Sequence, residues 1–222
     1  MEFIARKADW TKYADIVGDK NPIHRDGDYV LNSGLLERLG IKDTIAPGMY
    51  IGSHAHGDSP VQRVEFWFKN PVCDGDVIHR EGDSFYRGDD LVCKGDVILG
   101  GSTGKEIASP ENIVYSQDFY ASKENVRDFL GSIGSDSSRA NPEMYLMALS
   151  APALLGYAGT KKLVGMHAYQ SMEVHKPFSL DNIRVNVEER KVGKRMWRMN
   201  LFWESDGDVV ATGEAKVLPL AA

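Results

Sequence analysis

Three stretches of this chain occur twice, in the same order. Tyr13 to Asp19 matches Phe129 to Ser135, with Gly18 on Gly134. Ala46-Pro47-Gly48-Met49 matches Ala151-Pro152-Ala153-Leu154, and Phe68-Lys69-Asn70-Pro71-Val72 matches Val174-His175-Lys176-Pro177-Phe178. A chain that repeats itself in this way is built from two like units, and that restricts its fold more than any other feature. The boundary falls between residues 1–110 and 111–222.

The pattern inside each unit is mixed. Ile45 to Ala55 is small and apolar with Pro47 and Gly48 at its start, which suits a buried helix. From Val61 onward the chain turns β-like, punctuated by Gly-Asp pairs at 75–76, 82–83, 88–89 and 95–96. Ile183 to Val187 and Trp197 to Leu201 alternate apolar and polar residues as half-buried strands do. Phe3 to Tyr13 reads as a short entry segment, and Gly34 to Gly40 as a helical turn ended by glycine. The 222 residues allow one or two domains, with 42% hydrophobic and 26% charged residues as in an ordinary globular chain.

Several classes of function fit poorly. A net charge of −6 argues against generic nucleic-acid binding. No run approaches the length of a membrane span, and the first residues lack the apolar core of a signal peptide. Cys73 and Cys93 are too few for a structural zinc site, and both are expected to be reduced in a cytoplasmic protein.

The chemistry concentrates in Gly18-Asp19-Lys20-Asn21-Pro22-Ile23-His24. An acid and an imidazole five residues apart do not share one helix face. Pro22 forbids a helix running straight through, yet is comfortable at the first position of a short helix that Asn21 caps. The chain would then turn back, so that Asp19 and His24 face a common point. A carboxylate and an imidazole around one water form a general acid and base pair.

The string Tyr13-x-x-x-Val17-Gly18-Asp19-x-Asn21-Pro22-Ile23-His24 resembles the signature of the MaoC-like, (R)-specific enoyl-CoA hydratase family. That resemblance implies an α+β double hot-dog fold: two curved antiparallel sheets, each wrapping a central helix. It implies Asp19 and His24 as catalytic residues, with Asp19 favoured as base and His24 as proton donor. It also implies Asn21, Gly48 and Phe68 at the substrate. Gly48 would let a thioester carbonyl approach a backbone N–H, and Phe68 would line the site. The implied reaction is reversible hydration of 2-enoyl thioesters to (R)-3-hydroxyacyl thioesters, on acyl-CoA or acyl carrier protein, with no cofactor or metal. A homodimer of double hot-dog chains is a possible assembly. One departure stands out: the family's Ala-His-Gly-Met carries Pro47 in place of its histidine.

Within that resemblance the second unit has lost its chemistry. Asp19 aligns with Ser135, His24 with Ala140, and Gly48 with Ala153. Residues 1–110 are thus the catalytic half and 111–222 a degenerate one. Alternatives from the same residues are a hot-dog thioesterase, with Asp19 activating water towards the thioester, and a non-catalytic acyl-binding subunit.

Three other features read as structural. Leu99 to Glu106 resembles a phosphate loop but lacks its opening glycine and the Ser/Thr after lysine, so it reads as a flexible linker. His54 and His56, two apart on a helix, do not face each other, and no carboxylate or Cys set completes a metal shell. Arg190, Lys191, Lys194, Arg195 and Arg198 form a basic run that reads as a solvated hairpin, or as a contact for carrier phosphates.

Overall fold

The computed structural model describes residues 1–32, 41, 43–55, 59–134, 142–193 and 196–221. The first half runs β1 (Glu2–Ile4), α1 (Lys7–Val17), a short 3-10 helix (Pro22–His24), α2 (Gly27–Asn32), α3 (Gly48–Ser53), β2 (Val61–Phe68), β3 (Val77–Glu81), β4 (Ser84–Arg87) and β5 (Asp90–Leu99). The second runs β6 (Ile113–Phe119), α4 (Lys123–Ser132), α5 (Pro142–Ala148), α6 (Ser150–Thr160), β7 (Leu163–Val174), β8 (Ile183–Val192), β9 (Trp197–Ser205) and β10 (Asp208–Ala221).

The ten strands of the described residues form one antiparallel sheet, in the order β1-β3-β4-β5-β2-β7-β10-β9-β8-β6. The two expected sheets therefore meet edge to edge, through β2 and β7. That pairing also carries the repeat. Phe68 matches Val174 between the units, so Glu65 matches Ser171, and these two are cross-strand partners. Val64 pairs with Met172 and Phe66 with Gln170, symmetrically to either side.

Helix α1 is formed by Trp10, Tyr13, Ala14 and Val17, an apolar stripe at helical spacing that is buried throughout. The segment read as an entry stretch is thus a short strand followed by a three-turn helix. Its end is set by Gly18 in the left-handed conformation, φ 79°, where a side chain would be strained. Gly134, its counterpart after α4, has φ 67°. Helix α1 packs on α4, and the matched residues Tyr13 and Phe129 touch there with ring centroids 5.4 Å apart. Both are fully buried.

Strand β9 shows why the later strands were legible. Trp197, Met199, Leu201, Trp203 and Ser205 are buried, and the residues between them face outward. The expected flexible linker is instead held down. Thr103 and Gly104 donate their amides to the carbonyls of Val174 and His175, and the Thr103 hydroxyl lies 3.0 Å from His175 Nδ1. Cys93 lies inside β5 and Cys73 in the β2–β3 connection; both are free thiols. The Gly34–Gly40 turn, His56, Ser135, Ala140, Lys194 and Arg195 lie outside the described residues. Arg190, Lys191 and Arg198 are solvent-exposed on β8 and β9.

Phe129→Ala removes a fully buried ring at the contact between the halves. We expect a loss of about 3–5 kcal/mol. Urea denaturation followed by tryptophan fluorescence should show it as a lower midpoint in one shared transition, because the same sheet and core span both halves.

Candidate active site

The loop after α1 folds as its residue types dictate. Asn21 is extended and its Oδ1 accepts from the Ile23 amide at 3.3 Å, capping the 3-10 helix that Pro22 opens. The Asp19 amide donates to the Ala14 carbonyl, and Asp19 Oδ1 accepts from the Asn21 amide at 2.9 Å. Arg25 braces the turn from outside, donating to the Asp19 carbonyl while ion-paired with Asp15. Asp19 Oδ2 is thereby left to face His24.

Asp19 and His24 are brought together as expected, at 3% and 7% exposure. Asp19 Oδ2 stands 3.8 Å from His24 Nε2, beyond direct hydrogen bonding. The other ring nitrogen, Nδ1, is 2.7 Å from the Ile45 carbonyl. A carbonyl can only accept, so Nδ1 carries the proton and Nε2 presents a lone pair. Burial holds the His24 pKa below its ordinary value, opposed by Asp19 and by the Ile45 hydrogen bond and reinforced by Arg25. The imidazole is therefore neutral at pH 7. Two acceptors, Oδ2 and Nε2, point at one place, and a single water with its two hydrogens satisfies both.

The pair opens into a cavity of about 890 Å³, its mouth included. Both halves build it. The first contributes Asp19, His24, Gly48 and Phe68; the second contributes Leu154 and Leu155 from α6, and Gly165 to His167 from β7.

Asn21 lies at the wall with its amide engaged. Oδ1 caps the helix, and Nδ2 donates to the Gly165 carbonyl of β7 at 2.7 Å. This residue ties the loop to the second half. Gly48 opens α3, whose first amides have no acceptor within the helix. Phe68 lies directly against it: a Cβ on Gly48 would stand 2.9 Å from the ring. Pro47, at the N-cap, contributes no N–H. His54 points elsewhere, its ring stacked on Phe3 at 3.9 Å and its Nδ1 bonded to the Tyr50 carbonyl.

One residue at this site was not read from the sequence. His167 lines the cavity from β7. It stands close enough to Asp19 and His24 for their ionised forms to act on its ring. Desolvation by the surrounding protein lowers its pKa to about 4, with Asp19 opposing and His24 assisting. No local pattern marks it, because a histidine in a strand signals nothing until the opposite half is placed against it.

No protein-family model matches the sequence. No curated protein matches it either. Solved structures do. The chain has a double hot-dog fold. It resembles a conserved hypothetical protein of Mycobacterium tuberculosis described as a double hotdog, with TM-score 0.71 at 9% identity, over 99% of this chain and 94% of that one. It also resembles a MaoC-like dehydratase from Phytophthora capsici, with TM-score 0.60 at 11% identity, over 100% and 95%. A tesB protein of Mycobacterium avium subs paratuberculosis matches with TM-score 0.51 at 11% identity, over 79% and 88%.

Two predictions follow from this geometry. Gly48→Val forces its side chain into the Phe68 ring and should cost about 1–3 kcal/mol. In a Phe68→Ala background the cost should shrink; equal costs in both backgrounds would mean that the ring is not the obstacle. The second concerns acid. Folding lowers the pKa of both His24 and His167, so below about pH 6.5 the unfolded chain binds more protons than the folded one. Stability is whole above that pH and declines as pH falls, with His167 contributing at most about 3 kcal/mol by pH 4. Urea unfolding from pH 7 to 4.5 should show His167→Phe losing less stability than the parent.

Proposed function

We propose that the protein hydrates 2-enoyl thioesters reversibly to 3-hydroxyacyl thioesters, as a MaoC-like hydro-lyase with one site per chain. The observation that carries this reading is the pair of buried acceptors, Asp19 Oδ2 and His24 Nε2, 3.8 Å apart and facing a cavity that Gly48 also lines. The similarity to a MaoC-like dehydratase and the Gly18-to-His24 string support it.

The reaction adds water across C2=C3. A water held by both acceptors attacks C3, forming the C–O bond while one of its protons passes to His24 Nε2. The π electrons move to C2 and the thioester oxygen, giving an enolate. The same Nε2 proton then goes to C2, which restores the resting imidazole and leaves atoms and charge balanced. The neutral tautomer thus gives His24 both steps, base first and donor second, and Asp19 holds the water and stabilises the transient imidazolium. This refines the division implied by resemblance, in which Asp19 is the base. The amides at the start of α3 face the thioester oxygen, where negative charge develops. Leu154 and Leu155 of α6 offer apolar surface to the acyl chain. The carrier is CoA or acyl carrier protein; residues 1–110 supply the chemistry and 111–222 the other wall.

The test is crotonyl-CoA and its ultraviolet enoyl band. Loss of the band without free thiol is the expected result; release of thiol would mean a thioesterase, and no change across enoyl-CoAs of several lengths would remove the reading. Asp19→Asn and His24→Ala should each lower turnover about 10²–10⁴-fold. Because both groups act on one water, the double variant should lose far less than the product of the two. Near-parental turnover in either single variant would overturn the mechanism.

A further inference from the structure

The two ends of the reacting unit are served unequally in the geometry above. Water and C2 meet Asp19 and His24, both anchored by hydrogen bonds. The thioester oxygen meets only main chain at α3, and the residue at its N-cap, Pro47, has no amide to give. Across the cavity stands His167. Its ring faces Phe68 at 6.5 Å between centroids and 28° between planes, and Phe68 in turn covers Gly48. His167 thus lines the same cavity as Gly48, Asp19 and His24, beside the Phe68 ring. Among the described residues, no hydrogen bond engages either ring nitrogen, unlike those of His24, His54 and His175.

We propose that His167 is a substrate-contacting catalytic residue, donating a hydrogen bond from its imidazole to the thioester carbonyl oxygen. This rests on the hydration reading and deepens it. In either tautomer one ring nitrogen carries a proton, and nothing else in the described chain claims it. A neutral donor suits the task, because it stabilises the growing enolate charge without giving its proton away. The residue's pKa of about 4 keeps it neutral through the working range. Its placement is fixed by the main chain: two residues earlier in β7, the Gly165 carbonyl holds Asn21 of the catalytic loop. Gly165 cannot easily be replaced, because a Cβ there would stand 2.3 Å from Val217. The second half thus contributes a substrate-contacting hydrogen-bond donor as well as a wall, and neither half contains the whole site.

The test compares His167→Phe, which keeps an aromatic ring against Phe68, with His167→Gln, which restores an N–H donor. Crotonyl-CoA hydration is the first readout, with kcat and KM separated. Loss of one such donor should lower kcat about 10²–10³-fold in the phenylalanine variant, with KM changed little. The glutamine variant, which restores an N–H donor, should recover about tenfold or more of that loss in kcat. A phenylalanine variant with near-parental kcat, or a glutamine variant no better than it, would overturn the proposal while leaving hydration intact. The second readout is the histidine ring NMR spectrum of the parent protein with butyryl-CoA, the His167 signals being those absent from the variants. A shift on binding supports the contact. If the parent protein hydrates no enoyl-CoA, the hydration reading fails by itself, and an unshifted His167 signal then removes this proposal too.

Discussion

The ladder between β2 and β7 is the interaction on which the rest depends. It joins two five-stranded halves into one sheet and fixes their register at Glu65 and Ser171, matched residues that pair with each other. That register, together with the irregularity opposite Lys216 and Val217 that shifts β7 between Tyr169 and His167, decides which side chains of β7 face the cavity. β7 then presents Gly165 and His167 to the loop of the other half. The Asn21–Gly165 hydrogen bond joins loop to strand, so loop geometry and sheet register cannot vary independently.

Burial gives the same residues their chemistry. The Asp19–His24 pair is buried in a wall where an unpaired polar atom is costly, and the local main chain answers most of that cost. Asp19 Oδ1 has the Asn21 amide, and His24 Nδ1 has the Ile45 carbonyl. One acceptor atom on each residue is left to bind something from solution. In the proposed reaction, selecting the tautomer through Ile45 is what makes the imidazole a base rather than a second donor.

Much of the fold was legible in the sequence, and for identifiable reasons. Glycines with positive φ after α1 and α4, the Pro22 helix start and the alternation of β9 are all local signals. The stripe Trp10, Tyr13, Ala14, Val17 was equally local, and reading it at helical spacing would have found α1. The Asp19–His24 convergence was legible because Asn21 and Pro22 leave the loop few other shapes. His167 was not, since its meaning comes from a strand register more than a hundred residues away in the chain. The two engaged ends of the Asn21 amide, and the pinned Thr103–Gly104 connection, were hidden for the same reason.

Carrying both halves on one chain has a consequence beyond symmetry. Where two separate subunits meet at a site, each copy of the sequence must serve every equivalent position, and the site falls apart as the subunits are diluted. Here the position matching His167 in the first half is Val61, fully buried in the core. A histidine lines the cavity in one half, and a valine fills the equivalent buried place in the other. The cavity's two walls also stay together at any concentration, because their association is an intramolecular event.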